Sequence, residues 1–139
     1  MLAKLFSVTL EGIEGVLCEV EVDVSPTSNQ KPTIVGLPDA AVKESIERVR
    51  SAIINSGYRY PDEQYLINLA PADVKKEGPA FDLPIALGVL AGNGALASEN
   101  LGDYVIVGEL ALDGRIRPVN GVLSMAMTAA QKGYKGIVV

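Results

Sequence analysis

Arg48, Arg50, Arg59, Arg115 and Arg117 are the residues of this sequence whose chemistry reaches outward most readily. A guanidinium presents a rigid fork of donors that suits phosphate or carboxylate oxygens. Arg48 with Arg50, and Arg115 with Arg117, stand as pairs on predicted regular elements, so these four are the candidates for touching nucleic acid or an acidic partner. Their ordinary alternative is a solvated surface charge. Glu19, Glu21 and Asp23 fall on one side of a predicted strand and could face a hard cation. No second carboxylate cluster converges on them, so a wet sheet face is the expected reading and no metal site is assigned. Cys18 belongs to the apolar side of the same strand, where a thiol acts as a small hydrophobe.

Other chemistry is excluded by composition. The chain has no histidine and one cysteine, which removes disulfides, Cys/His zinc sites and imidazole acid/base catalysis. It contains no GxxxxGK[ST] string, so no mononucleotide loop and no cofactor are expected within it. Gly88, Gly92 and Gly94 fall at a helix end and are read as packing and termination rather than as a phosphate cradle. Twelve basic against seventeen acidic residues give a net charge of −5, which repels phosphate backbones over the molecule as a whole.

The elements that must hold these groups are legible in outline. Val16, Cys18, Val20, Val22 and Val24 alternate with the carboxylates as a strand with one dry face. Phe6, Val8 and Leu10 share its period, and the five residues Glu11 to Gly15 can close a hairpin. Thr33 to Val35 adds a strand after the polar loop Ser25 to Lys31. Asp39 caps a helix that stops at Gly57, with Val42, Ile46, Val49 and Ile53 on its apolar face and Lys43/Glu47 and Glu44/Arg48 at i,i+4 spacing. A strand from Tyr65 to Ala70, a loop from Pro71 to Ala80 and a buried helix from an Asp82 cap to about Ala91 follow. Tyr104 to Leu112 reads as one continuous core strand, Asp113-Gly114 as a tight turn, Arg115 to Val119 as a further strand, and Gly121 to Lys132 as the third helix. Gly136 to Val139 begins another strand and stops.

These 139 residues suit one α/β (α+β) domain, with a mixed sheet and about three helices, taken from a longer chain. Neither a secretory signal nor a membrane span is expected, and the location that follows is cytoplasmic.

Several long strings carry a resemblance: VGLP, VKES, RVRSAI, NLAPAD and KEG-x-x-FDLPIALG. Together they resemble the amino-terminal domain of the YifB/ComM family, magnesium-chelatase-like AAA+ ATPases of DNA processing in natural transformation. The stretch VGELALDGRIRPVNGVLSMAMTAA is similar to the proteolytic domain of Lon as well. The resemblance implies a Lon-protease-domain-like fold, shared with domain 2 of small-subunit ribosomal proteins and with some kinases. Lon peptidases use a serine nucleophile and a lysine base. Here Glu77-Gly78-Pro79 is followed by Ala80 where the serine would stand, and Asn120-Gly121-Val122 by Leu123 where the lysine would stand. Both chemical groups are missing from the matched positions.

The resemblance implies a noncatalytic amino-terminal module that helps assemble a ring oligomer, a hexamer of the whole protein, or positions DNA. ATP and Mg would bind an AAA+ domain beyond residue 139. Two other functions stay open: a cryptic peptidase rearranged around Ser124 with Lys75 or Lys76, and a small-molecule or nucleotide-binding module.

Overall fold

The computed structural model describes residues 1–25, 31–61, 64–97 and 99–139. The polar loop expected before Thr33 lies at 26–30, outside the described residues. The alternation at the start of the chain becomes a long hairpin, β1 (Leu2–Glu11) and β2 (Glu14–Ser25), paired antiparallel from Leu2↔Asp23 to Glu11↔Glu14. Its connection is Gly12 and Ile13 alone, shorter than the five residues expected. Gly12 takes φ 65°, the left-handed value a type II′ turn requires at its first central position, and closing there lengthens the ladder.

The dry face of β2 holds buried Cys18, Val20, Val22 and Val24, with Ala3 and Leu5 of β1 beside them. Phe6, Val8 and Leu10 fall on the opposite face. That face is not wholly wet, because Val8, Leu10 and Leu17 join a second apolar cluster there.

One sheet runs in the order β3 (Thr33–Val35), β4 (Gln64–Ala70), β2, β1, β5 (Tyr104–Ile106), β8 (Gly136–Val138). β6 (Glu109–Leu110) and β7 (Ile116–Arg117) form a separate antiparallel ribbon. The helices are α1 (Ala40–Lys43), α2 (Ser45–Asn55), α3 (Asp82–Gly92) and α4 (Val122–Gln131). The sheet is mixed, antiparallel at β1–β2 and β2–β4 and parallel at β3–β4, β1–β5 and β5–β8, and it is sandwiched, with α2 and α3 on one face and α4 on the other.

The expected helix from Asp39 to Gly57 is therefore two segments. They join at Glu44, whose carbonyl accepts the Glu47 N–H at i+3, a local tightening that brings Ser45 and Arg48 to bear on α3. The expected strand from Tyr104 to Leu112 is also two. Gly108 donates its N–H to the Ala80 carbonyl and accepts from Leu83 N–H, which pulls the chain off the sheet and onto the start of α3. A continuous apolar run shows that a segment is buried, not where its ladder ends. The strand expected over Arg115 to Val119 shortens to Ile116–Arg117, paired only with Glu109 and Leu110.

α3 lies directly on β2 because its glycines let it. A Cβ at Gly88 would meet Val22 Cγ2 at 2.5 Å, and one at Gly92 would meet Val24 Cγ2 at 2.7 Å. Gly88→Val should lower the free energy of unfolding by about 2 kcal/mol through overpacking, measured by urea denaturation. An unchanged midpoint would show that the helix can shift freely away from the sheet.

Candidate functional site

Where β5 leaves β1, a cleft of about 460 Å³ opens. Val8, Thr9 and Leu10 of β1 form its floor, Glu77 to Ala80 one wall, and Pro118 to Asn120 with Glu109 the other. The wall is fixed through Asp39. One carboxylate oxygen of Asp39 accepts the Val42 N–H at 2.8 Å, capping α1, and the other accepts the Gly78 N–H at 3.1 Å. Main-chain bonds from Asp39 N–H to the Lys76 carbonyl and from Lys76 N–H to the Leu37 carbonyl, 2.9 and 3.0 Å, tie the same two segments together. Gly78 has φ 81°, the left-handed conformation that turns the chain into Pro79 and Ala80.

Lys76 is fully buried, and its ammonium donates to the Pro71 carbonyl. Burial holds its pKa below the ordinary lysine value, while the Cys18 thiol and Asp73 act in the opposite sense. Burial likewise pushes the Cys18 thiol up, which keeps it protonated and a poor nucleophile.

The first turn of α3 holds a second polar centre. Asp82 was expected to cap α3; its side chain makes no such bond and turns instead into the interior at 0% exposure. Its carboxylate accepts from Ser45 Oγ at 2.6 Å, from Arg48 Nε at 2.6 Å and Nη2 at 3.1 Å, and from the Leu110 N–H at 3.0 Å. α2, α3 and β6 are thereby pinned at one point. The hydrogen bond to Asp82 raises the Arg48 pKa further, against the effect of burial.

The residues singled out in the sequence fall as follows. Ala80 lines the cleft and contributes only a methyl group. Leu123 is 76% exposed on α4 and takes no part in the cleft lining. Ser124 lines a different depression with Ile13 and Met127, so it is not brought to Ala80. Lys75 is exposed, 3.7 Å from Glu77, and Lys76 is the buried group described above. Arg48 is committed to Asp82, with a weaker contact to Glu44 at 3.4 Å. Lys43 and Glu47 do not pair with each other. Arg50 is exposed, its guanidinium 5.9 Å from the centre of the Tyr60 ring. Arg115 pairs with Asp113 at 2.9 Å, and Arg117 is exposed. Glu19 pairs with Lys4 at 2.9 Å and Glu21 accepts from Asn68 at 2.9 Å, so the carboxylate row is divided among its neighbours. No group of three acidic, histidine or cysteine side chains able to hold a metal occurs among the described residues.

The Asp113 carboxyl is held below its ordinary value, first by the Arg115 N–H and then by the Arg115 charge. A folded-state pKa below the unfolded one stabilises the turn above pH 3.8, and that contribution is lost as pH falls through the folded value. Carboxyl-carbon NMR should place the Asp113 midpoint below 3.8, rising toward it in Arg115→Gln while the backbone donor remains. A midpoint at 3.8 in the unsubstituted chain would contradict the turn geometry.

Sequence reasoning missed Thr9, Glu109 and Asn120 as cleft residues. Thr9 carried a usable signal, a polar residue inside an apolar strand; Glu109 and Asn120 carried none, since the break after Ile106 that places them was not foreseen.

A mixed sheet crossed by helices on both faces, with a cleft between the strand that peels away and an acidic-Gly-Pro loop, defines a Lon-like α/β domain. Comparison with known sequences agrees at a distance: Lon protease 2 of Bacillus subtilis is 24% identical over 90% of this chain and 25% of its own length. Nearer relatives are more specific. YifB of Escherichia coli is 55% identical over 76% of this chain and 21% of its own, and the competence protein ComM of Haemophilus influenzae is 44% identical over 99% and 27%. Residues 20–139 match the family model of subunit ChlI of Mg-chelatase. The chain belongs to the YifB/ComM family of magnesium-chelatase-like proteins. It spans about a quarter of the length of these relatives. No helix among the described residues is long and apolar enough to cross a membrane.

Proposed function

We propose that this domain is the noncatalytic amino-terminal module of a ComM-like AAA+ ATPase that processes DNA in the cytoplasm, and that it contributes to assembly of a hexameric ring or to positioning DNA. The observation that carries this reading is Ala80: a cleft lies beside the acidic-Gly-Pro loop, yet the position matched to the Lon nucleophile holds a methyl group, and Leu123, matched to the base, is exposed on α4. A fold kept with its cleft but without reacting atoms is one used for binding. ATP and Mg belong, in this reading, to the part of the whole protein outside these residues.

The net charge of −5 favours the assembly role over a broad DNA surface. Light scattering on the whole protein, with ATP and DNA, should give a ring-sized particle whose number of subunits falls when residues 1–139 are removed. A particle that stays monomeric in both forms would refute assembly. If DNA does touch this domain, Arg50, Arg115 and Arg117 supply the exposed charge, since Arg48 is held by Asp82. Reversing these three charges should then weaken binding and flatten its salt dependence; an unchanged salt slope removes DNA contact from this domain.

A further inference from the structure

Two features of the cleft point to one kind of occupant, by an argument that does not depend on the assembly reading. The first is an open strand edge. The pair Glu11↔Glu14 closes a two-residue hairpin, so its residues exchange main-chain hydrogen bonds, and by the period of two the odd-numbered residues of β1 bond to β2. The even-numbered ones aim their N–H and C=O groups the other way. Phe6 does so into β5, through Phe6↔Val105, where that ladder ends. Val8 and Leu10 aim theirs at the cleft, where they have no main-chain partner among the described residues.

The second feature is charge. Asp39, Glu77 and Glu109 line the cleft and no basic side chain does. Asp39 is occupied in holding Val42 and Gly78, and Glu77 lies near Lys75, but Glu109 makes no ion pair among the described residues; Arg117, opposite it in the ribbon, is exposed.

We propose that this cleft is a docking site for an extended basic peptide segment of a partner protein, which adds as a strand to the Val8–Leu10 edge of β1 and sets a lysine or arginine against Glu109. Main-chain hydrogen bonds supply affinity in such strand addition, and alternate side chains supply selectivity. The small side chain of Ala80 leaves room for the segment to pass.

The probe is a fluorescent peptide of alternating valine and arginine, compared with the same peptide carrying glutamate for arginine and with one N-methylated at alternate residues. The arginine peptide should bind the unsubstituted chain, the glutamate and N-methylated peptides at least about tenfold more weakly, a difference of roughly 1.4 kcal/mol. Glu109→Lys should cause a similar loss, whereas Glu47→Lys, the same charge change on the outer side of α2, should not. Amide exchange provides a readout that adsorption alone would not move. Bound peptide should slow exchange at Val8 and Leu10 while leaving Thr9, already bonded to β2, unchanged. Binding that ignores N-methylation, or that leaves Val8 and Leu10 exchange untouched, overturns the proposal, as does failure of the arginine peptide to bind. Self-association of the chain that is lost in Arg117→Glu would assign the cleft to a second copy and overturn it equally.

Discussion

Asp82→Ala should lower the free energy of unfolding by about 3–5 kcal/mol, as expected for removing one partner of a buried ion pair. The loss is large because four donors converge on one carboxylate: Ser45 Oγ, two guanidinium nitrogens of Arg48 and the Leu110 N–H. Alanine strands all of them. Arg48 can recover some hydration, its side chain being 20% exposed, but Ser45 is fully buried. Ser45→Ala removes one donor and leaves the carboxylate with its others, so about 1–2 kcal/mol is expected. Replacing Asp82 and Arg48 together with leucine should restore part of the loss, because the uncompensated charge goes with its partner. Urea denaturation of the unsubstituted chain, Asp82→Leu, Arg48→Leu and the double leucine variant gives the coupling directly. Additive losses in the double variant would show that the pair is not the pin between α2, α3 and β6.

Gly36→Ala should cost about 3 kcal/mol or more, and the cause is a clash rather than backbone conformation alone. Gly36 has φ 108°, and a Cβ there would stand 1.9 Å from the Leu69 carbonyl oxygen, which belongs to β4 and cannot swing aside. The substitution would pry β3 from β4 just before Leu37, Pro38 and Asp39, the segment that anchors Lys76 and Gly78 at the cleft wall. Gly57→Ala separates the two causes. Gly57 has φ 85° with nothing within 4 Å of the added methyl, so it loses only the left-handed preference, about 1 kcal/mol. Equal losses at the two positions would mean that the approach to Leu69 is not tight.

These two residues also mark what could be read from the sequence and what could not. Asp39 as a helix cap, the alternation of β2, and Gly88 and Gly92 as packing positions were legible because each rests on local period or local geometry. Asp82 looked like the same kind of signal as Asp39, an acid before an apolar helix. It differs because Ser45 and Arg48, 37 and 34 residues away, reach it across the fold. Spacing within one element carries no trace of that. The break between β5 and β6 was hidden for a related reason: Val105, Ile106 and Val107 are all buried, and so are Leu110 and Ala111 on the far side of Gly108, so hydropathy runs through the break without a step. Since that break opens the cleft, the site was legible only through the resemblance that marked Ala80, and the edge at Val8 and Leu10 was not legible at all.

The most direct test of a Lon-like cleft that binds without cutting is an incubation of the purified chain with an unfolded protein substrate, followed by mass analysis of the products. No fragments beyond those in a protein-free blank are expected. Fragments that disappear in Ser124→Ala would contradict that expectation and return the domain to the peptidases.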